Sequence, residues 1–427
     1  MTKINLFWFR RDLRLTDNAG LYHAIKSSHV VLPIFIFDAN ILQELPKDDA
    51  RISFIHGQLR KIDIELNKQN SALKIYLGKP LDIFKELMQT YQINAVFTNK
   101  DYEPYALQRD QAVSSLLKEK NIEFKSFKDQ VIFEESEVMK DDGKPYTVFT
   151  PYMKKWRSRL NLHPIKNHPI KLVNLLVHQS KFPELDEFGF SKSNLIVRDF
   201  QLEQLENYSE TRNFPTLDQT SYLSPHLRFG TIGIRELIHQ IPENNTTFIN
   251  ELVWREFFMQ ILFHFPHVVH ENFKPKYNNI QWRNNEQEFD KWCKGETGYP
   301  MVDAGMRQLN TTGYMHNRVR MVTAGFLCKH LLIDWKWGEA YFAEKLLDYE
   351  LSSNNGNWQW ASGTGCDAAP YFRIFNPIEQ LKRFDPKMEY VKKWVPEINE
   401  IHYRPIVDHK AARERALNVY KEGLAVN

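Results

Sequence analysis

Three motifs rich in polar and aromatic residues lie close together between Gly298 and Pro377. The chain reads Tyr314-Met315-His316-Asn317-Arg318-Val319-Arg320-Met321, then Asn354-Asn355-Gly356-Asn357-Trp358-Gln359-Trp360, then Asp367-Ala368-Ala369-Pro370-Tyr371-Phe372-Arg373. Tryptophan, asparagine, arginine and acidic residues interleave there at helical spacing, which a plain hydrophobic core does not require. The combination suits a flat aromatic ligand that is gripped at its polar edges.

Amphipathic helical patterns surround these motifs. Apolar residues recur at helical spacing from Glu251 to Phe265, from Met301 to Leu332 and from Trp335 to Tyr349. Pro300 stands at the start of the second pattern, where proline is well tolerated. We therefore expect residues 201–427 to form an all-α domain.

The N-terminal half alternates short apolar runs with helical patterns, which predicts a parallel sheet with helices on both faces. The runs of strand length are Ile4–Phe9, Val30–Phe37, Leu73–Leu77 and Ala95–Thr98, and the helical patterns are Ser53–Asn67, Leu81–Tyr91 and Ala106–Lys120. The first run is followed by Arg10-Arg11-Asp12-Leu13-Arg14 and not by a glycine-rich turn, so dinucleotide binding there is not expected. Residues 1–130 should form a Rossmann-like α/β domain.

Between these halves the periodicity fades. Five prolines punctuate this polar stretch, namely Pro145, Pro151, Pro164, Pro169 and Pro183. Residues 131–200 are therefore expected to be a long connector between the domains.

Composition and charge limit the partners of the chain. A length of 427 residues favours two or three domains, and 26% charged residues without long like-sign blocks argue against disorder. Because the net charge is only +3, a surface for nucleic acid must be a local basic patch. The N-terminus lacks a signal-peptide pattern and no apolar run reaches the roughly 20 residues of a membrane helix. We expect a soluble, cytoplasmic protein.

Several classes of site are not favoured by the sequence. The cysteines are isolated, which fits neither a disulfide framework nor a CxxC metal site. They are Cys293, Cys328 and Cys366. His264, His267 and His270 suggest a metal site, but Pro266 breaks their helical register, so no metal is expected. Neither a P-loop nor a Gly-x-Ser-x-Gly elbow occurs, which removes support for kinase and hydrolase activities.

One face of the first C-terminal helix carries residues that could meet a ligand. By three-and-four spacing, this face presents Glu251, Trp254, Arg255 and Phe258. An amphipathic helix with a buried tryptophan and a solvated ion pair explains the pattern. A carboxylate and an indole that point together at a planar base explain it too.

Arg318 and Arg320 lie on different faces of the helix predicted from Met301. Both could be surface charges, because arginine stems lie readily along apolar surface. The functional interpretation puts Arg320 inside, paired with Asp348 or Glu350, and Arg318 outside, on a phosphate. A buried arginine is rarely found without an acidic partner or an anionic ligand, so pairing is the test.

The segment Thr220-Ser221-Tyr222-Leu223-Ser224-Pro225 opens a further helix with clustered hydroxyls. Hydroxyls and backbone N–H groups at a helix N-terminus can seat a phosphate. An ordinary helix cap explains the segment equally well.

At these residues the chain resembles the photolyase and cryptochrome family over nearly its whole length. The stretches that carry the resemblance are Phe7-Trp8-Phe9-Arg10-Arg11-Asp12-Leu13-Arg14, Met315-His316-Asn317-Arg318, and Trp358-Gln359-Trp360 through Asn376-Pro377. The likeness is greatest to class I cyclobutane pyrimidine dimer photolyases. It implies a light-driven carbon–carbon lyase in which excited, reduced FAD donates an electron that opens the cyclobutane ring and then returns.

The resemblance also implies which residues hold FAD. They are Tyr208, Thr220, Ser221, Leu223, Ser224, Asn317, Arg320, Asp348, Glu350 and Asn354. Asn354 would lie near the flavin N5 and stabilise the reduced cofactor. Glu350 stands where the family commonly has an aspartate, one methylene shorter.

Lesion recognition and electron transfer follow from the same resemblance. Dimer-containing DNA would be bound by Arg212, Glu251, Trp254, Asn317, Arg318, Met321 and Trp360, with Arg212 and Arg318 near the phosphates. Electrons would reach FAD through Trp358, Trp335 and Trp282, although core packing accounts for each of these tryptophans individually. The catalytic residues that the resemblance implies are therefore Glu251, Asn354 and the three relay tryptophans.

Two other activities are compatible with the family. A cryptochrome would signal in blue light without repair, but Asn354 and the Glu251, Trp254 and Met321 set are typical of photolyases. Repair of the (6-4) photoproduct normally uses a histidine pair, and Met321 stands at one of the expected histidine positions.

The antenna chromophore and the oligomeric state are less well indicated. Folate-binding photolyases carry an Asn-Glu pair where this chain has Glu103-Pro104-Tyr105-Ala106, so methenyltetrahydrofolate is not favoured. A deazaflavin, FMN or no antenna remain open. We expect a monomer whose partner is DNA that contains pyrimidine dimers.

Overall fold

The computed structural model describes residues 3–242, 244–400 and 404–426. The chain forms two compact units. Unit 1 comprises residues 1–134, 158–200 and 222–241, and unit 2 comprises residues 135–157, 201–221 and 242–427. These units do not coincide with the three consecutive segments expected from the sequence, because the middle segment is shared and residues 222–241 join unit 1.

Unit 1 is built on a parallel sheet of five strands in the order β3-β2-β1-β4-β5. The strands are β1 (Ile4–Phe9), β2 (Val31–Asp38), β3 (Lys74–Gly78), β4 (Ile93–Asn99) and β5 (Glu123–Phe127). Successive side chains of β1 enter different cores: Phe7 and Phe9 pack on one face, Leu6 and Trp8 on the other. Both faces of the sheet are therefore covered, which confirms the expected α/β class.

The helices follow in chain order. The first nine are α1 (Ala19–Ile25), α2 (Ala39–Leu42), α3 (Ala50–Asn67), α4 (Pro80–Thr90), α5 (Pro104–Lys118), α6 (Phe149–Leu162), α7 (Tyr208–Thr211), α8 (Leu223–Phe229) and α9 (Ile234–Gln240). The remainder are α10 (Thr246–His264), α11 (Glu286–Lys294), α12 (Pro300–Thr312), α13 (Asn317–Gly325), a π-helical turn (Phe326–Leu331), α14 (Trp335–Lys345), α15 (Leu351–Ser362), α16 (Pro377–Phe384), α17 (Glu389–Trp394) and α18 (His409–Ala425). The helix-rich C-terminal half is confirmed.

Residues 222–241 belong with unit 1 because buried ion pairs tie α9 to it. Arg235 donates to Asp129 at 2.7 Å and to Asp17 at 3.0 Å, and Arg14 donates to Asp129 at 2.8 Å. Burial alone raises the pKa of Asp129, but the charges of Arg14 and Arg235 hold that pKa below its usual value. Charged partners so far apart in sequence give no local signal.

The prediction of a single helix from Met301 to Leu332 is wrong. Helix α12 ends at Thr312, and Gly313 follows with a left-handed φ of +70°. His316 then starts α13, because its side chain accepts a hydrogen bond from the backbone N–H of Arg318 at 3.2 Å. The new start sets the direction of α13, which carries several of the predicted site residues.

The expected connector contains a regular element that the sequence did not predict. Helix α6 begins at Phe149. Trp156 of this helix donates from its indole Nε1 to Oε1 of the buried Glu256 in α10, at 2.6 Å. This segment is therefore anchored within unit 2 as far as residue 157.

Among residues 3–242, 244–400 and 404–426, no helix is both long enough and apolar enough to cross a membrane. The same residues contain no group of three or more side chains that could bind a metal ion together.

Candidate functional site

Arg320 and Asp348 form one of the two ion pairs that the functional interpretation of the sequence allowed. Arg320 donates from Nη2 to Asp348 Oδ2 at 2.9 Å and from Nε to the carbonyl oxygen of Met315 at 2.8 Å. The other carboxylate oxygen, Asp348 Oδ1, is buried and has no hydrogen-bond partner among the described residues. An unsatisfied buried acceptor is costly, so this atom is suited to an N–H group of a bound ligand.

Glu350, two residues after Asp348 in the chain, has partners of its own. Its Oε2 accepts from the hydroxyls of Ser352 at 3.2 Å and Ser353 at 2.7 Å. Arg255 lies 3.8 Å from its Oε1. Glu350 is buried at the start of α15, so its carboxylate is already engaged by neighbouring side chains.

Helix α15 carries Asn354 and Trp358 inwards. Asn354 Nδ2 donates to the backbone oxygen of Glu339 at 3.0 Å. Burial raises the pKa of Glu339 to about 7, although its hydrogen bond with Asn354 opposes that rise. Gly338 lets α14 approach, because a Cβ there would lie 2.1 Å from the Trp358 ring. Asn354 is thus held in a packed layer of two helices.

Tyr208, Arg212 and Glu251 come together as neighbours. Arg212 and Glu251 form an ion pair, and the Arg212 guanidinium lies 5.3 Å from the centre of the Tyr208 ring. Tyr208 also packs edge-on against Phe248 at 5.0 Å. Burial, followed by the Glu251 charge, raises the pKa of the Tyr208 hydroxyl. Glu251 pairs with Arg212 and not with Arg255, the residue on its own helical face.

Arg318 belongs to a local basic cluster. It donates from Nη2 to Asn213 Oδ1 at 2.7 Å and lies 4.4 Å from the centre of the Phe384 ring. Burial and then the charges of Arg212 and Arg383 lower its pKa. These three guanidinium groups concentrate positive charge locally in a chain whose net charge is +3, and Glu251 offsets the charge of Arg212.

The other predicted contacts are distributed over both units. Asn317 is exposed at the start of α13, and Met321 and Trp360 are half-buried. Thr220 and Ser221 lie in unit 2, whereas Leu223 and Ser224 lie in unit 1, at the start of α8.

Each tryptophan of the predicted relay has a different environment. Trp335 is fully buried and donates from Nε1 to Asn272 Oδ1 at 2.8 Å. Trp358 packs edge-on against Trp292 at 6.2 Å, and the half-buried Trp282 packs edge-on against Tyr420 at 5.9 Å.

Four residues that contact predicted site residues were not predicted from the sequence. They are Phe149 against Trp254, Asn213 against Arg318, Asn272 against Trp335 and Trp292 against Trp358. Their partners are far away along the chain. No local spacing could have indicated them.

Comparisons with known proteins identify the family. Residues 5–170 match the family model described as DNA photolyase, and residues 248–404 match the FAD binding domain of DNA photolyase. A deoxyribodipyrimidine photo-lyase from Synechococcus sp. is 36% identical to this chain over 435 residues, which cover 94% of the chain and 90% of that protein. The chain belongs to the DNA photolyase family. The resemblance found in the sequence is confirmed.

Solved structures agree with this family. A class III photolyase from Agrobacterium tumefaciens is 34% identical, with a TM-score of 0.87 over 99% of this chain and 98% of its own. An archaeal photolyase from Sulfolobus tokodaii that contains two FAD molecules is 33% identical, with a TM-score of 0.86 over 98% and 99%. These matches confirm three predictions at the level of the family: the two-part fold, the photolyase activity class and FAD as cofactor. Membership of the class I photolyases stays a prediction.

The residues of this chain fit FAD. The Oδ1 of Asp348 offers an acceptor to the polar edge of a flavin, and the hydrogen bond from Arg320 to Oδ2 orients that carboxylate. Asn354 is buried on α15 in the same unit, and its side-chain Nδ2 donates to the backbone oxygen of Glu339. The chemistry that FAD supplies when it is bound and reduced is light-driven electron donation.

Proposed function

We propose that this photolyase-family chain repairs cyclobutane pyrimidine dimers in DNA. The observation that carries the proposal is the buried, unpaired Asp348 Oδ1 beside Arg320, in a chain 36% identical to a deoxyribodipyrimidine photo-lyase. This atom supports a cofactor that is bound through its polar edge. The protein's share of the work is then to bind and orient the lesion and to exclude water.

We assign the cofactor contacts by the family motif. They are Tyr208, Thr220, Ser221, Leu223, Ser224, Asn317, Arg320, Asp348, Glu350 and Asn354. Asp348 and Asn354 would hold the flavin's polar edge, and the hydroxyls before α8 would hold its phosphates. The contact of Glu350 is indirect in this proposal, because its carboxylate already accepts bonds from Ser352 and Ser353.

Lesion binding is assigned to the face that Trp254, Glu251, Met321 and Trp360 supply. An enzyme that acts on a base takes it out of the duplex, and a base that is already unpaired costs less to flip. Trp254 would stack on the flipped dimer and Glu251 would bind its polar edge. Arg212 and Arg318 would bind the phosphates on either side, which supplies affinity that depends on salt.

Electron supply to the resting enzyme is assigned to Trp358, Trp335 and Trp282. The fully buried Trp335 and the half-buried Trp282 support a route from the interior towards solvent. We further propose a cytoplasmic monomer, and we leave the antenna open among a deazaflavin, FMN or none.

The deciding experiment is anaerobic blue-light repair by the purified, photoreduced protein. One oligonucleotide carries a single cyclobutane thymine dimer and a matched one carries a (6-4) photoproduct, each with a dark control. We expect light-dependent restoration of thymines in the cyclobutane substrate only. Repair of the (6-4) substrate would contradict the lesion class, and photoreduction without any repair would favour signalling.

A further inference from the structure

The ring of Phe149 lies flat on the indole of Trp254. The two ring centres are 3.6 Å apart and the planes differ by 6°. Phe149 is buried and Trp254 is half-buried. Aromatic pairs by themselves prefer offset or edge-to-face geometry, so a face-to-face pair this close must be held by its surroundings.

The backbone of Phe149 is anchored. Its N–H is the first of α6 and donates to Asp367 Oδ2 at 2.9 Å. A carboxylate at a helix N-terminus satisfies an otherwise unpaired N–H and interacts favourably with the helix dipole. Asp367 lies in the third of the motifs between Gly298 and Pro377 and is not among the residues assigned to the cofactor or to DNA.

The rest of α6 is tied to the helix that carries Trp254. Glu256 of α10 is buried and accepts from Trp156 Nε1 at 2.6 Å and from the Tyr152 hydroxyl at 3.4 Å. Arg157 donates to Asn250 Oδ1 of α10 at 2.9 Å. These bonds fix the first two turns of α6 against α10.

The indole is also framed by rings of its own helix. Phe257 packs edge-on at 5.6 Å, and Phe258 packs at 5.4 Å with a tilt of 31°. Gly356 of α15 allows that helix to close on Phe258, since a Cβ there would lie 2.1 Å from the ring. The indole plane is thus set by three rings, of which Phe149 is the one supplied by another helix.

We propose that Phe149 is a positioning residue that supports Trp254 from behind, so that the dimer stacks on the part of the indole that Phe149 leaves uncovered. Asp367 keeps Phe149 in place through its backbone. This inference rests on the proposed role of Trp254. The opposite arrangement, in which Phe149 occupies the place of the base and must leave, conflicts with its anchored backbone and its burial.

The test uses the full-length, FAD-loaded protein and a strand with a single cyclobutane dimer, beside the undamaged strand. The variants are Phe149→Ala, Phe149→Tyr, Trp254→Ala and the Phe149→Ala, Trp254→Ala pair. We expect Phe149→Ala to weaken dimer binding roughly 2- to 10-fold, the range that one aromatic pair supports. Flavin content and binding of the undamaged strand should not change, and Phe149→Tyr should bind as the parent does.

The coupling between Phe149→Ala and Trp254→Ala distinguishes a positioning role of Phe149 from a general loss of structure. If Phe149 acts through Trp254, Phe149→Ala weakens binding in the parent and adds nothing when Trp254 is already alanine. Equal losses in both backgrounds, or unchanged binding, would overturn the inference while leaving the role of Trp254 intact. Tighter binding by Phe149→Ala would identify it as an occluding residue, which also overturns the inference. If Trp254→Ala alone binds normally, both the role of Trp254 and this inference fail.

A second pair of variants covers the case in which Phe149→Ala does not fold. Asp367→Ala removes the acceptor from the Phe149 N–H, whereas Asp367→Asn retains an oxygen that can accept. We expect a smaller loss of dimer affinity for Asp367→Ala and none for Asp367→Asn. Equal affinities of the two would show that the cap does not act on the site.

Discussion

Arg320 of α13 pairs with one carboxylate oxygen of Asp348, in the turn between α14 and α15, and the other oxygen is buried and unpaired. The bond from Nη2 to Oδ2 is 2.9 Å, and Oδ1 has no partner among the residues described. We expect Asp348→Ala to yield protein with little bound flavin. Loss of a hydrogen bond to a charged acceptor costs about 1.5 to 3 kcal/mol, which corresponds to roughly 10- to 150-fold weaker binding.

The measurement is the ratio of flavin to protein after purification, followed by a titration with added FAD. Glu397→Ala is a matched control, because Glu397 forms an ion pair with Arg307 that is more exposed. The control should keep its flavin. Full flavin occupancy in Asp348→Ala would refute the cofactor role of Asp348.

Stability should fall as the pH drops, because His316 must stay neutral to cap α13. Its Nδ1 accepts the N–H of Arg318 at 3.2 Å, and burial followed by the Arg320 and Arg318 charges lowers its pKa to about 4. An unfolded histidine has a pKa of about 6.5, so the unfolded state binds more protons between these values. The contribution of neutral His316 to the free energy of unfolding is complete above about pH 6.5 and is lost as the pH falls through about 4.

The size of this effect is on the order of 3 kcal/mol in the free energy of unfolding. Denaturant unfolding at about pH 7 and about pH 4.5 would measure it. His316→Asn keeps a good cap acceptor and cannot titrate in this range, so its stability should fall less. An equal decline in both proteins would mean that His316 does not govern the acid response.

The parts of the fold that the sequence predicted are those with a local, periodic signal. Strand β1 was predicted at Ile4–Phe9 because Asn5 is the one polar residue in this short apolar run, and the structure buries all six residues. Strand β5 was missed because Glu123–Phe127 is a partly exposed edge strand in which three of the five residues are polar and do not alternate with apolar ones. The break between α12 and α13 was missed because the apolar pattern continues through it, although Gly313 was a usable signal.

The contacts of the candidate site divide in the same way, into those that the sequence indicated and those that depend on tertiary packing. The pairing of Arg320 with an acid was predicted because a buried arginine needs a counter-charge, but its choice of Asp348 and the pairing of Arg255 with Glu350 depend on how the helices pack. Contacts such as that of Phe149 with Trp254 join residues about a hundred positions apart. No spacing rule reaches that far.

Arg318 should contribute one phosphate contact to DNA binding. Arg318→Gln would keep a polar stem but lose the charge, so binding should weaken on damaged and undamaged DNA alike. The slope of log affinity against log salt should become less negative by about 0.9 for a duplex or about 0.7 for a single strand. Lys85→Gln removes an exposed charge paired with Asp82 in unit 1 and should leave the slope unchanged. An unchanged slope in Arg318→Gln would remove Arg318 from the phosphate contacts.

The proposed relay makes Trp335 necessary for photoreduction but not for repair. Trp335→Phe keeps an aromatic ring in the core but replaces the readily oxidised indole, so flavin photoreduction with an external reductant should slow at least about tenfold. Protein reduced chemically beforehand should repair dimers at the parent rate. Trp292→Phe is the matched control, because Trp292 is equally buried and packs against Trp358 at 6.2 Å. Loss of photoreduction in Trp292→Phe with normal photoreduction in Trp335→Phe would assign the electron route to Trp292 instead.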